Sequence, residues 1–213
     1  MTYGKILKRT PRGIDRFIFF TDAVVAVAIT LLVLPLVDAA NNIGQATAGD
    51  FLISNATRIF ALVLSFAVIG RLWIAHHQFS EVITDYSVGT LWLNMAWMLT
   101  IVFLPVPTEL ISSEADDFTI ANGVYVLTML ANMSIMLWLR HVYLKNPTMM
   151  TAEGLVRVRE GILGMRVNIV LLVIALVISV SIASVGLFAL ALLLVGPPIT
   201  RLIHNRGWRV RNA

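Results

Sequence analysis

The chain has 213 residues, of which 58% are hydrophobic and 13% are charged, whereas a soluble domain is about half apolar and a quarter charged. This composition excludes an ordinary soluble domain and indicates an integral membrane protein. The sequence contains no cysteine, which excludes a disulfide framework, a zinc–thiolate site and thiol catalysis. The net charge of +4 matters less than where the basic residues lie along the chain.

Six apolar segments follow a basic N-terminal tail, residues 1–16, and each is long enough to cross a bilayer as a helix. The first is too long and too charged for a signal peptide, so we interpret it as retained. We predict an all-α integral membrane protein of one domain, residues 1–213, with six transmembrane helices at about 17–37, 51–75, 87–104, 119–143, 166–182 and 185–203.

Two details of this division depend on chain geometry. Pro105 and Pro107 are expected to end the third span, because proline cannot continue the helical hydrogen-bond ladder. The last apolar run, 167–199, would extend for about 50 Å as one helix, against a bilayer core of about 30 Å. We therefore expect a break at 181–186, and a separate surface helix within the charged segment 148–165.

The charged residues are segregated between the two sides of this topology. The loops 38–50 and 105–118 contain acidic residues and no lysine or arginine. Most lysines and arginines lie instead in the N-terminal tail, in the segment 140–166 and after residue 200. The positive-inside rule assigns that side, with both termini, to the cytoplasm.

The functional interpretation depends on the first span. At about 100° per residue, Val27, Thr30, Leu31 and Leu34 form one stripe of the helix, and Asp38 continues the stripe beyond the membrane. In an arbitrary membrane helix such a stripe is more often ordinary packing. The stripe alone therefore predicts a helix with one distinctive apolar face.

Several charged or titratable residues map near the cytoplasmic boundary. A charge at bilayer depth costs about 2.5–3.5 kcal/mol, so Asp22 is expected to face protein or water. Asp22 and either His76 or His77 are expected to share a charge-assisted hydrogen bond between the first two spans. The alternative is that both histidines lie in water. A metal site is not expected with four histidines and no cysteine.

Three blocks of sequence carry a further signal. The first block is Phe20-Thr21-Asp22 followed by Ala-Ile-Thr-Leu-Leu-Val-Leu at 28–34. The second is 72–79, and the third is 91–108, from Leu-Trp-Leu-Asn to Leu-Pro-Val-Pro-Thr. Together they resemble the transmembrane protein 175 family, potassium channels of bacteria and of animal endosomes and lysosomes. The blocks occur in family order. Thr21 replaces the usual serine, and Val27 replaces a larger residue, which leaves the width of the narrowest pore ring open.

The resemblance implies a homotetramer in which the first helix lines a central pore. Val27, Leu31 and Leu34 then form stacked apolar rings, Thr30 supplies hydroxyls between them, and Asp38 forms a ring at the outer mouth. It also implies a structural network beside the pore helix, with His77 preferred over His76 as its histidine. The expected members are Arg16, Phe20, Thr21, Asp22, Trp73 and His77.

We therefore expect a potassium-permeable cation channel in the cell inner (plasma) membrane, with modest selectivity for potassium over sodium and a hydrophobically gated pore. The expected partners are other copies of the chain, potassium and other monovalent cations, and membrane lipids. We expect no enzyme activity, no cofactor, no nucleic acid and no metal beyond transient potassium in the pore. The alternatives are a secondary transporter, which usually shows discontinuous helices or an inverted repeat, and a non-conducting scaffold.

Overall fold

The computed structural model describes residues 11–42, 44, 47–113 and 118–181. The predicted sixth span, 185–203, lies outside these residues, as does nearly all of the break expected at 181–186. The described residues form eight α-helices and one 3₁₀ turn. They are α1 Pro11–Leu31, α2 Leu34–Asn41, α3 Ala48–Ser54, α4 Ala56–Ser80, α5 Val88–Phe103, α6 Pro105–Ser112, α7 Phe118–Lys145, the turn Pro147–Met149, and α8 Ala152–Ser181.

Five segments of the described chain are long and apolar enough to cross a bilayer, which agrees with a multi-pass membrane protein. They are Arg12–Asn41, Ala56–Ser80, Val88–Ser112, Thr119–Lys145 and Ala152–Ser179. Helices are the expected form for such segments, because every backbone N–H and C=O in the bilayer core must be bonded within the chain.

The first span consists of two helices, α1 and α2, rather than one. The backbone tightens at Leu32 and Val33, whose amides donate to carbonyls three residues back at 3.3 Å. Pro35 follows in the first turn of α2, where its missing N–H leaves no hydrogen bond unmade. Helix α2 continues to Asn41, so Asp38 lies on a helix and the expected loop at 38–50 begins later than predicted.

The third span shows the same arrangement and corrects the prediction that Pro105 ends it. Leu104 keeps a helical backbone, and its carbonyl accepts from the Thr108 amide at 3.2 Å. Because proline is tolerated in the first turn of a helix, α6 continues from Pro105 to Ser112. The prolines therefore divide the span without ending it.

Helix α8 also corrects the prediction of a separate surface helix within 148–165. It begins at Ala152 and is continuous to Ser181, so the charged segment forms its first turns. Arg157 Nη2 donates to Glu153 Oε1 at 2.6 Å, an i,i+4 pair that supports helix. Val158 in the same segment is buried, at 4% exposure, so this part of α8 already packs against the bundle.

Helix α7 lies at the centre of the bundle and packs against α5, α6 and α8, while α1 packs against α4 and α5. Trp97 of α5, Tyr125 and Leu139 of α7 and Leu172 of α8 are among the fully buried side chains. Lipid chains are as apolar as these side chains, so close packing and interhelical hydrogen bonds have to supply much of the specificity.

Two connections at one end of the bundle pair with each other. The Thr84 amide donates to the Met149 carbonyl at 2.9 Å, and the Thr151 amide donates to the Val82 carbonyl at 3.0 Å. These bonds flank an isolated antiparallel bridge. We call this end, residues 80–88 and 145–152, the bridge end. The opposite end, residues 34–55 and 105–113, is called the acidic end because it contains Asp38, Asp50 and Glu109.

Gly154 packs directly against the bridge end, and a larger residue there should destabilise the fold. A Cβ at Gly154 would lie 2.4 Å from the Val82 Cβ, closer than real side chains come. We expect Gly154→Ala to cost about 1–3 kcal/mol through overpacking, read as a lower thermal unfolding midpoint of detergent-purified protein. Gly70→Ala is the control, because nothing lies within 4 Å of that position. Equal midpoints for the two variants would contradict this account of the bridge end.

Candidate functional site

One face of α1 is packed against its own subunit. Thr21, Val25, Ala28 and Leu32 are each 5% exposed or less and follow the helical spacing i, i+4, i+7 and i+11. They lie towards α4 and α5, the helices against which α1 packs. This buried stripe determines which residues of α1 are turned away from the rest of the subunit.

The opposite side of α1 and α2 is partly exposed, although Leu31 and Leu34 also line a cleft with Leu62 of α4. Val27 is 58% exposed, Leu31 37% and Leu34 50%, and both Thr30 and Asp38 are exposed. We call these five residues the α1 face. All five residues predicted as one stripe are therefore exposed in the described part of the subunit. Val33 and Val37, which the sequence analysis did not single out, are also exposed at 42% and 45%.

Thr30 is the polar side chain of the α1 face that lies between the apolar residues Val27, Leu31 and Leu34. Its hydroxyl donates to the Val27 carbonyl at 2.7 Å. A hydroxyl has one donor and two acceptor lone pairs, so this bond leaves the oxygen free to act as an acceptor. The α1 face therefore presents an acceptor oxygen between apolar side chains, which is an arrangement suited to a cation and not to an anion.

A chain of buried hydrogen bonds anchors the packed side of α1. His76 Nε2 lies 2.7 Å from Asn94 Oδ1, Asn94 Nδ2 donates to Thr21 Oγ1 at 2.7 Å, and Thr21 Oγ1 donates to the Phe17 carbonyl at 3.0 Å. Because Asn94 Oδ1 can only accept, Nε2 of His76 carries the proton. The Trp97 ring stacks on His76 with centroids 4.1 Å apart. Three helices, α1, α4 and α5, are thereby joined.

Asp22 is bound by a tryptophan and not by a histidine. Trp73 Nε1 donates to Asp22 Oδ1 at 2.8 Å. The prediction that His77 pairs with Asp22 is wrong in this structure: His77 Nε2 lies 3.6 Å from Glu81 Oε1, and Nδ1 has no hydrogen-bond partner. His77 contacts the network only through its ring, which stacks on Trp73 at 5.3 Å.

The buried histidine is His76, at 3% exposure, and the preference for His77 over it is corrected accordingly. Helical spacing gives a signal for this: the buried residues of α4 recur at Ile69, Leu72, His76 and Phe79. His77 falls outside that stripe. The sequence analysis also missed Asn94 as the link between His76 and Thr21, because nothing local relates residues 73 positions apart.

Arg16 and Phe20 lie on the exposed side of α1 and are not brought to the Asp22 carboxylate. Both line an apolar cleft between α1 and α5, together with Tyr86 and Trp92. The Phe17 ring stacks on Tyr86 with centroids 5.8 Å apart at the same cleft. Thr21, Asp22 and Trp73 of the predicted network are thus joined to α4 and α5, whereas Arg16 and Phe20 face outward.

The acidic end gathers three carboxylates around a single arginine. Asp38, Asp50 and Glu109 line one cleft with Arg58, whose Nη1 donates to Asn55 Oδ1 at 2.8 Å. Hydrogen bonds from the side chain and backbone of Thr47, which caps α3, hold the pKa of Asp50 below its ordinary value. Asp50 therefore stays negatively charged at neutral pH.

Comparison with known proteins identifies relatives of this arrangement. A family model described as "Endosomal/lysosomal potassium channel TMEM175" matches residues 16–105, which include the α1 face and its hydrogen-bond network. The chain is 30% identical over 119 residues to "Potassium channel B446_29190" of Streptomyces collinus, covering 53% of this chain and 55% of that protein. It is 27% identical over 95 residues to "Potassium channel HX13_20290" of a Chryseobacterium strain, covering 45% and 47%.

A human relative and two solved structures extend the comparison. The human "Endosomal/lysosomal proton channel TMEM175" is 28% identical over 102 residues, which are 48% of this chain and 20% of that protein. A lysosomal potassium-selective channel TMEM175 homolog from Chamaesiphon minutus superposes with a TM-score of 0.71 at 21% identity, covering 91% and 99% of the chains. A variant of the potassium channel MtTMEM175, bound to a nanobody fusion protein, gives 0.66 at 16% identity, covering 97% and 96%. The alignments span about half the length of the bacterial relatives, and the structures share the fold.

The Asn94 bonds yield a stability prediction. Asn94→Leu removes the partner of His76 Nε2 and the bond that Asn94 donates to Thr21, and a buried polar group left unsatisfied costs about 1–3 kcal/mol. We expect the thermal midpoint of detergent-purified protein to fall by several degrees. Asn146→Leu is the matched control, because Asn146 is exposed and its side chain bonds only the nearby Val142 carbonyl. If both leucine variants unfold at the same temperature, the network does not hold α1.

Proposed function

We propose that the chain is a member of the transmembrane protein 175 family and forms a potassium-permeable cation channel that conducts passively. The observation that carries the proposal is the α1 face: an apolar stripe, interrupted by one hydroxyl, that the subunit's described helices leave partly exposed. The names of two bacterial relatives, both potassium channels, support the same interpretation.

The pore is formed by several copies of the chain, in our proposal a homotetramer with α1 of each copy around the axis. A single subunit turns the α1 face outward and cannot enclose a path with it. Four copies that bring these faces together surround a central space with identical rings. Helices α4 and α5 then stand behind α1, where the bonds from Asn94 and Trp73 support it.

Val27, Leu31 and Leu34 act as the gate. At 1.5 Å per residue, their rings are spaced over about 10 Å along the axis. Closely spaced apolar rings expel water from a narrow pore and so block ions without any charged plug. The Thr30 oxygen, free to accept, lies between the rings and offsets part of the cost when an ion passes.

Selectivity for potassium over sodium follows from the cost of dehydration and is modest. An ion passing apolar rings loses part of its water shell, and potassium releases water more easily than sodium. The ring of Thr30 hydroxyls offsets a limited part of this dehydration cost for either ion. This mechanism needs no carbonyl-lined filter, for which the sequence has no Thr-Val-Gly-Tyr-Gly segment.

The acidic end serves as the outer mouth. Asp38 continues the α1 face, and Asp50 and Glu109 lie around the adjoining cleft, so the local potential attracts cations. In this orientation the bridge end faces the cytoplasm of a cell whose inner membrane holds the protein, as the positive-inside rule requires for the basic segments.

Ion flux through liposomes containing purified protein separates the functional classes. A channel gives fast passive potassium flux that follows the concentration gradient, a secondary transporter gives flux that saturates, and a scaffold gives none. We expect the first result, with a particle mass in detergent that matches four chains. Saturating flux, or the mass of a single chain, would overturn the proposal.

Substitutions on the α1 face test the gate. Val27→Asn or Leu31→Asn makes one ring polar and wettable, so we expect several-fold more open time or current in planar bilayers. Val170→Asn on α8 is a matched control, since Val170 is 57% exposed against 58% for Val27. Unchanged currents from both α1 variants would remove these residues from the pore.

The negative charge at the outer mouth predicts that the single-channel conductance depends on the salt concentration. Asp38→Asn should reduce single-channel conductance at about 0.01 M potassium, where charges act over about 30 Å, but not at about 1 M, where they act over about 3 Å. Glu153→Gln at the bridge end has the same change in charge and provides the control on the other side. An equal effect of Asp38→Asn at both salt concentrations would argue against an electrostatic role.

A further inference from the structure

A cleft of about 260 Å³ lies between α4, α7 and α8, apart from the α1 face. The described residues that line it include two arginines, Arg71 of α4 and Arg140 of α7, and no carboxylate. Two asparagines and two glycines contribute the remaining polar and open surface. A positively charged cleft inside a bundle of membrane helices is suited to an anion.

Arg140 lies at this cleft and makes few hydrogen bonds to the described residues. Its guanidinium lies over the Phe79 ring, 5.4 Å from the centroid, and Nη2 reaches the Ala75 carbonyl only at 3.5 Å. Nε is inaccessible to solvent and has no hydrogen-bond partner, so a ligand in the cleft could bond only the Nη groups. A guanidinium has five N–H donors, and a charge away from water is costly unless it is paired. The geometry therefore leaves Arg140 in need of an acceptor from outside the described chain.

Arg71 adds a second positive charge on the same side of the cleft. It precedes Ala75 by four residues on α4, so both positions lie on one face of that helix. The Ala75 carbonyl is the group that Arg140 approaches. The two guanidinium groups are therefore presented to one cleft from two helices.

Helix α8 packs closely against Arg140. A Cβ on Gly161 would lie 3.1 Å from Arg140 Nη1, so glycine at this position lets the guanidinium lie against α8 at the cleft. Seven residues further along α8, about 10 Å at 1.5 Å per residue, Asn168 Oδ1 is buried and unpartnered. The cleft thus offers polar groups over a length greater than that of one small ion.

The depth of Arg140 corresponds to phospholipid headgroups. Arg140 lies five residues before the end of α7, which is about 8 Å of helix. The headgroup region on each side of a bilayer core is of similar thickness, about 5–8 Å. Along its length α8 exposes apolar side chains such as Leu163 and Val170, which are compatible with neighbouring acyl chains.

We propose that this cleft binds the phosphate group of an anionic membrane phospholipid at the bridge end. Arg140 binds the phosphate, and Arg71, which lies deeper on α4, adds positive charge to the cleft. Since Ala75 directly precedes His76, bound lipid also steadies the part of α4 that anchors α1. The proposal depends on the chain being a membrane protein and not on its conducting ions.

Native mass spectrometry of the full chain, purified in detergent, tests the site. Phosphatidylglycerol and phosphatidylcholine with the same acyl chains are titrated separately. We expect phosphatidylglycerol to bind about tenfold more tightly, and Arg140→Gln to reduce its affinity about fivefold to tenfold. Arg157→Gln makes the same change of charge at an exposed ion pair near the bridge end and should change the affinity less than about twofold.

Equal binding of the two lipids, or equal affinities of the two glutamine variants, would overturn the proposal. Glycerol 3-phosphate distinguishes a soluble source of the same chemistry. If it binds as tightly as phosphatidylglycerol and depends equally on Arg140, the ligand is a soluble phosphate and the assignment to a lipid is wrong.

A second variant keeps the test valid if Arg140→Gln does not fold. The chain contains no cysteine, so Gly164→Cys places a single thiol in the cleft. A maleimide reagent should modify it in lipid-free detergent, and phosphatidylglycerol, but not phosphatidylcholine, should slow the reaction several-fold. If the thiol reacts only after denaturation, protein covers the cleft and the proposal fails.

Discussion

The rotation of α1 about its own axis is the constraint on which the site depends. Inside a bilayer, a polar side chain without a partner is costly, and Thr21 and Asp22 lie together near the bridge end of α1. Asn94 and Trp73 supply their hydrogen bonds from two different helices. Turning α1 by one residue, about 100°, would separate both groups from these donors. The bonds therefore hold the membrane-embedded part of the α1 face outward, although none of its residues belongs to the network.

The two ends of the bundle differ in backbone structure, because the helices are interrupted at the acidic end and the connections pair with each other at the bridge end. Pro35 and Pro105 lie in the first turns of the short helices α2 and α6, and both prolines line one cleft with Arg58 and Glu109. Neither interruption ends its span, since the carbonyl before it still accepts a helical bond. At the bridge end, by contrast, paired connections tie the end of α4 to the beginning of α8. The interrupted helices thus lie at the acidic end. The hydrogen-bonded connections lie at the bridge end, near the hydrogen-bond network that anchors α1.

The two proposed sites meet on α4. His76 belongs to the network that orients α1, and the preceding residue, Ala75, lies against Arg140 in the cleft of α7 and α8. Whatever occupies that cleft acts on the same turn of helix that holds Asn94. Physical coupling between a lipid at the bridge end and the α1 face would need only this one turn to shift, because closely packed helices move as units.

The sequence by itself determined the helical membrane class, the similarity to potassium channels, the apolar stripe of α1 and the approximate position of the described spans. These properties depend on composition and on local helical periodicity, which do not require knowledge of the tertiary contacts. Tertiary structure decided that Trp73 binds Asp22, that His76 and not His77 is buried, and that Pro105 does not end its span. It also decided that α8 begins at Ala152. The physical reason is that a periodicity specifies a face of a helix but not the neighbour that covers it, and hydrogen bonds across the bundle join residues far apart in sequence.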